Sequence, residues 1–270
     1  MAVISISDSL DTRLDVFRHI KTSNATRDGL FIAEGWKLVE LLLTSDLRLH
    51  SILVDPRHLE PIRDRLSHET PVFVLPHDEI ERLVGFNFHR GILACGHRKA
   101  NPDLAELLEP ADIPRRLVVC PSIQDPENLG AVIRIGSAFG IHGLMLGPKS
   151  ADPFSRRVLR VSMGTAFEFP IYISSDLDAD FARLDRAGVE LIASVLDTAA
   201  EPLSTFRVNS RWALLLGNEG HGLESEWIAR AHRKVTIPMH NGVDSLNVSV
   251  AAGILLYELT RSAGNSGGTP

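Results

Sequence analysis

Five short apolar runs in the second half of the chain do most to limit its fold. They are residues 117–120 (LVVC), 143–147 (GLMLG), 189–195 (VELIASV), 211–217 (RWALLLG) and 234–239 (KVTIPM), with helix-compatible stretches before most of them. Strands that stay apolar along their length, instead of alternating, are strands covered on both faces. Alternation with helices is how a parallel sheet acquires those covers. The reading is an α/β domain over 117–263, closed by a helix from Leu246 to about Arg261 with Ser245 as its N-cap. Residues 264–270, Gly- and Ser-rich, are expected to be disordered.

The first half carries a different and weaker pattern. After Gly35, apolar residues at Trp36, Leu38, Val39, Leu42 and Leu43 have helical spacing. Short β-like runs follow at 51–54 (SILV), 71–75 (PVFVL) and 91–95 (GILAC). Residues 1–98 therefore form a small α/β unit of their own. Residues 99–116 (KANPDLAELLEPADIPRR), with three prolines and many charges, read as a linker carrying at most a helical turn. At 270 residues, two modest domains suit the length better than one.

Composition mainly excludes. No apolar run reaches the ~18 residues of a membrane span, and the N-terminus lacks the basic and apolar regions of a signal peptide, so no membrane partner and a cytoplasmic setting are expected. Cys95 and Cys120 both lie in apolar runs and no C-x-x-C or H-x-x-x-H spacing occurs, which supports neither disulfides nor a metal site. The formal charge of −6 is awkward for a nucleic-acid partner. Clustering matters more than the sum. Basic residues gather at Arg18, Lys21 and Arg27, at Arg90, His97, Arg98 and Lys99, and at Arg156, Arg157 and Arg160, each of which also reads as an ordinary solvated face.

Three loops carry the chemistry-bearing residues. In 124–134 (QDPENLGAVIR), Asn128 at a strand's carboxyl end precedes a helix that holds Arg134. With Asn128 as the cap, Arg134 lies about one and a half turns in and points toward the crevice where open α/β sheets bind ligands. A plain cap, a Gly turn and a surface arginine fit the same letters. In 214–223 (LLLGNEGHGL), three glycines in six residues follow an apolar strand, so backbone can approach a ligand closely. The spacing is not the dinucleotide fingerprint, and no G-x-x-x-x-G-K-[ST] exists. Glu219 among these glycines speaks against a pyrophosphate and for a neutral or cationic ligand. In 237–249 (IPMHNGVDSLNVS), Ser245 and Asn247 stand where a helix leaves backbone N–H groups unpaired.

Taken in this order, N-L-G-A-V-I-R, G-N-E-G-H-G-L and I-P-M-H-N-G-V-D-S-L-N-V-S resemble the three signature motifs of the SpoU/TrmH family of RNA 2′-O-methyltransferases, within the SPOUT superfamily. The resemblance covers about residues 117–260. It implies a parallel-sheet methyltransferase domain with a deep trefoil knot, an exception to the rule that chains do not thread their own loops. It also implies a homodimer with S-adenosylmethionine as cofactor. The front segment, including 27–35 (RDGLFIAEG) and 85–91 (GFNFHRG), is similar to the family's ribosomal-protein-like substrate-binding domain, which implies a structured ribosomal or transfer RNA as partner.

Carried over by motif position, the resemblance gives Leu216, Gly217, Asn218, Gly220, Ile237, Met239 and Leu246 to the cofactor. It gives Asn128, Arg134, Glu219, Ser245 and Asn247 to catalysis. A guanidinium with a pKa above about 12 is a poor base, so Arg134 is expected to anchor phosphate and stabilise a developing alkoxide, oriented by Asn128. Ser245 and Asn247 would fix the cofactor loop. Arg90, Arg156, Arg157 and Arg160 are expected to face RNA. The rival readings are an RNA-binding protein without transfer activity and, more remotely, a small-molecule or protein methyltransferase or a nicotinamide dehydrogenase.

Overall fold

A computed structural model describes residues 2–18, 20, 29–63, 70–218, 220–241 and 243–264. The chain divides into two compact units, 1–100 with 152–168, and 101–151 with 169–270.

The first unit is built from β1 (Ala2–Ser5), β2 (Leu30–Glu34), α1 (Trp36–Thr44), β3 (Leu49–Val54), α2 (Glu60–Arg63), β4 (Pro71–Val74), α3 (His77–Val84) and β5 (Ile92–His97). Its sheet runs β1-β4-β3-β5-β2. The first three pair in parallel, while β5 is antiparallel to both β3 and β2. Leu38, Val39 and Leu42 form the buried stripe of α1. The strand β2 has no alternation to betray it in the sequence, because Phe31, Ile32, Ala33 and Glu34 are all buried. One core gathers Leu14, Phe17, Leu53, Phe73, Ile80, Phe88, Leu93 and Cys95. Burial pushes the Cys95 thiol up to about 12, so it is an inert core residue.

The second unit opens with α4 (Leu104–Leu108), inside the stretch expected to be a linker. Asp103 and Glu106 form a capping box there, and Leu104, Leu107 and Leu108 join the unit's core. Then follow β6 (Arg115–Cys120), α5 (Pro126–Ala138) and β7 (Gly143–Leu146). After the excursion containing α6 (Arg156–Val161) come β8 (Ile171–Ile173), α7 (Leu177–Arg186), β9 (Glu190–Ser194), β10 (Glu201–Pro202), β11 (Arg211–Leu215), α8 (Ser225–Arg230), β12 (Arg233–Thr236) and α9 (Val248–Gly264). The sheet order is β10-β12-β9-β11-β6-β7-β8, and every neighbouring pair is parallel. The expected parallel sheet is present, with β8 and β10 as additions too short to leave a pattern.

The excursion 152–168 departs from the expected division, which placed it in the second domain. It covers β2 in the first unit, with Phe154 and Phe167 at ring-centroid distances of 5.2 and 5.4 Å from the fully buried Phe31. Arg98 adds a two-pronged bond to Asp152, at 2.9 and 2.5 Å. An edge strand with apolar side chains on both faces needs such a cover, and this segment supplies it. The expected tail, apart from Gly264, lies outside the described residues. Among them, no helix is long and apolar enough to cross a membrane.

Candidate active site

Because all strands of the second unit run the same way, their carboxyl ends share one edge, where the loops after β6, β11 and β12 emerge. These are the three loops singled out in the sequence. Two asparagines tie them together. Asn218, in the loop after β11, donates its amide N–H to the Ser122 carbonyl in the loop after β6, at 3.0 Å. Asn247, after β12, donates to Asn128 Oδ1 at 2.9 Å.

Asn128 is not the cap of α5. Asp125 is, accepting from the Glu127 N–H at 2.8 Å, with Pro126 in the first turn. Asn128 sits one turn in and is buried, with its amide 3.4 Å from Asp125 Oδ2. Burial makes its partners matter, since an unpaired buried amide is costly. Arg134 is exposed, and its side chain has no hydrogen-bond or ion-pair partner among the described residues. At 100° per residue it stands about 120° around the helix from Asn128, so the expected orientation of Arg134 by Asn128 is not what the side chains do. Asn128 serves Asn247 instead.

The helix α9 likewise starts later than expected. Asn247, not Ser245, caps it: Oδ1 accepts from the Ser249 N–H at 2.9 Å and the Ser249 hydroxyl at 2.6 Å. Ser245 is exposed, and Leu246 half-buried. A single Asn247 side chain thus starts a helix with its oxygen and holds Asn128 with its nitrogen. Ile237 and Met239 are half-buried just past β12.

The glycine loop closes on itself. Asn218 and Gly222 exchange backbone bonds of 2.8 and 2.9 Å, and the Gly220 N–H donates to Asn218 Oδ1 at 2.8 Å. A Cβ on Gly217 would stand 2.2 Å from the Gly222 carbonyl carbon and the Leu223 nitrogen, so only glycine fits there. Leu216 is buried beneath it. Glu219 lies outside the described residues.

Sequence reasoning missed the loop after β9. That strand lies between β11 and β12, so residues 195–200 emerge between the two predicted loops, with Leu196 exposed. It missed also the bond from Ser122 Oγ to Glu224 Oε1, at 2.9 Å, which links the β6 loop to the start of α8. A cavity of about 340 Å³ opens at the ends of β6, β7 and β8, between Ser122, Lys149, Asp176, Glu224 and Trp227. None of the predicted residues lines it.

The residues expected to face RNA belong to the first unit. Arg90, Arg156 and Arg160 surround Glu34, and Arg157 is exposed beside them. Arg98 is committed to Asp152, and Arg18 to Asp15 at 3.0 Å, while Lys21 and Arg27 lie outside the described residues. Among the described residues, no group of three or more His, Cys, Asp or Glu could hold a metal.

The model of the SpoU rRNA Methylase family matches residues 115–257. An uncharacterized tRNA/rRNA methyltransferase of Mycobacterium tuberculosis is 32% identical over 98% of this chain and 94% of its own length. The 23S rRNA (guanosine(2553)-2′-O)-methyltransferase of Bacillus subtilis is 30% identical over 87% of this chain and 90% of its own. The structure of the AdoMet-bound rRNA methyltransferase of Sinorhizobium meliloti superposes with a TM-score of 0.82 at 26% identity, covering 96% of this chain and 98% of that one.

Proposed function

Since this chain belongs to the SpoU rRNA methylase family and is an RNA methyltransferase, we propose that it methylates a ribose 2′-hydroxyl of a structured RNA in the cytoplasm, ribosomal RNA before transfer RNA. S-adenosylmethionine is its cofactor, as in the similar AdoMet-bound enzyme. The observation that carries the reading is the tying of three distant loops by Asn218 and Asn247 at one sheet edge.

The chemistry of these loops suits a sulfonium. Residues 216–223 and 237–247 contain no lysine or arginine, so no fixed cation of theirs opposes a positive ligand. Gly220, exposed, leaves backbone open to contact, Gly217 lets the loop close tightly against Gly222, and Ile237, Met239 and Leu246, half-buried, offer apolar surface. When bound, S-adenosylmethionine supplies a methyl group on a cationic sulfur, open to attack by an oxygen. A ribose hydroxyl is a weak nucleophile at neutral pH, so the protein's task is alignment and charge stabilisation. Arg134, with no protein partner among the described residues, has its five donors free to anchor a phosphate and stabilise developing alkoxide charge. Asn128 and Asn247 hold the β12 loop against α5, and Ser245 and Glu219 complete the proposed polar set.

The trefoil knot is part of this proposal. It is supported by the chain's return from β12, past β9 and β11 in sheet order, to bond with α5 beside β6. A homodimer is proposed as well. Val250, Ile254 and Tyr257, spaced four and three residues apart on α9, form an exposed apolar stripe of the kind helices bury against a partner. Sedimentation showing a 29.7 kDa particle at micromolar concentration would count against it.

The test is transfer of a labelled methyl group to total RNA, followed by mapping of 2′-O-methyl sites in cells with and without the gene. Arg134→Ala is expected to lower transfer by about 10²–10³-fold or more with cofactor binding little changed. Incorporation that maps to bases, and not to ribose, would refute the ribose assignment. Lost cofactor affinity in Arg134→Ala would make Arg134 a cofactor residue.

A further inference from the structure

Glu34 ends β2 and is 5% exposed. Three guanidiniums surround its carboxylate. Arg156 Nη1 lies 3.1 Å and Arg160 Nη1 3.8 Å from Oε2, and Arg90 Nε lies 3.6 Å from Oε1. All four residues belong to the first unit. One cation would neutralise a buried carboxylate, so three leave the cluster at +3 − 1, a surplus of two positive charges.

Nor are the arginines spent as donors. Each has five N–H groups, and Arg90, Arg156 and Arg160 keep 50%, 24% and 31% of their side chains exposed. Two further contacts hold the array in place. Arg156 lies over the Phe86 ring, 4.1 Å from its centroid. Gly35 makes room for Arg90, since a Cβ there would stand 2.9 Å from Arg90 Cδ. Converging guanidiniums repel one another, and the carboxylate beneath them is what opposes their spreading.

We propose that Glu34 is a positioning residue, which gathers Arg90, Arg156 and Arg160 into a site for one RNA phosphodiester. This rests on the proposed RNA substrate and deepens it, giving a role to an acidic side chain that does not itself touch RNA. Charge alone makes the opposite prediction for Glu34: removing a carboxylate from a basic site should tighten RNA binding.

The experiment is binding of deproteinised ribosomal RNA to the full chain over a range of salt concentrations, alongside methyl transfer to the same RNA. Glu34→Gln is expected to weaken RNA binding about tenfold, the scale of one impaired charge-assisted phosphate contact. It should raise KM for RNA while sparing kcat and cofactor affinity, and Glu34→Asp should restore part of the loss. Arg160→Ala, which leaves two arginines on the carboxylate and so tests the site even if Glu34→Gln fails to fold, should reduce the salt slope by about one. With all three arginines replaced by alanine, Glu34→Gln should add nothing further. Unchanged or tighter binding by a folded Glu34→Gln, or an unchanged slope in Arg160→Ala, overturns the inference. Wild-type transfer with indifferent variants sinks this inference alone, whereas absence of transfer by the wild type sinks the proposed function.

Discussion

In the first unit, the basic side chains are fastened by charge. Glu34 holds three arginines, and Arg98 grips Asp152 with two bonds. In the second unit, the loops proposed to hold the cofactor are fastened by neutral amides, Asn218 on the Ser122 carbonyl and Asn247 on Asn128. The difference follows the proposed ligands. A polyanion is attracted by surplus cations, which a single buried acid can gather without cancelling. A sulfonium would be repelled by them, so its loops are joined by groups that carry no charge. The two kinds of fastening should also respond differently to salt, because screening weakens partly exposed ion pairs and leaves amide bonds alone.

The sharpest way to break the second fastening is Gly217→Ala. The added methyl would meet the Gly222 carbonyl carbon at 2.2 Å, so the glycine loop must open, at a cost of about 1–3 kcal/mol or more. Calorimetry is expected to find cofactor binding lost, while RNA binding by the first unit persists. Gly220→Ala should leave the loop closed, since the nearest atom to its Cβ is Asn218 Oδ1 at 3.4 Å, so any loss of affinity there would come from crowding the cofactor itself. Full affinity in Gly217→Ala would detach this loop from the cofactor.

A smaller effect is expected from Asn247→Ala, which removes the cap of α9, about 1 kcal/mol, together with Asn128's partner. Cofactor affinity should fall several-fold, by the same factor at low and high salt. A deficit that changes with salt would mean that charge, not an amide bond, holds the loop.

The smallest effect concerns an ion pair in the first unit. The Arg57 guanidinium, bonded to Asp55 at 2.5 Å, is the main cause holding that carboxyl down to about 2, with the Arg57 N–H and His77 assisting against desolvation. An unfolded aspartate titrates near 3.9. A depressed folded value means that the stabilisation is present above about pH 4 and disappears as pH falls toward 2. Asp55→Asn should therefore lower the melting temperature by about 2–4 °C at neutral pH, a gap that closes in acid. Asparagine can still accept from the Arg57 N–H, as Asp55 does at 2.9 Å, so a gap independent of pH would assign the loss to something other than the carboxylate's charge.

Much of the second unit was legible beforehand. The strands β6, β7, β9, β11 and β12 announce themselves as apolar runs because a doubly covered strand cannot alternate. The excursion 152–168 was misplaced because its aromatic residues, Phe154 and Phe167, look the same in a sequence whichever core they enter. The caps were misassigned by two or three residues, Asp125 for Asn128 and Asn247 for Ser245. In each case several polar residues precede the helix, and which of them reaches an N–H depends on backbone angles.

The sequence alone determined which chemical groups stand on each loop and that the strands beneath them are parallel, since glycine spacing, polarity and apolar runs are properties of neighbouring residues. Only the tertiary structure decided that Asn247 closes on Asn128 across 119 residues and that Glu34 gathers arginines from two other stretches of chain. Such meetings depend on strand order and on which core a segment enters, and local periodicity carries neither.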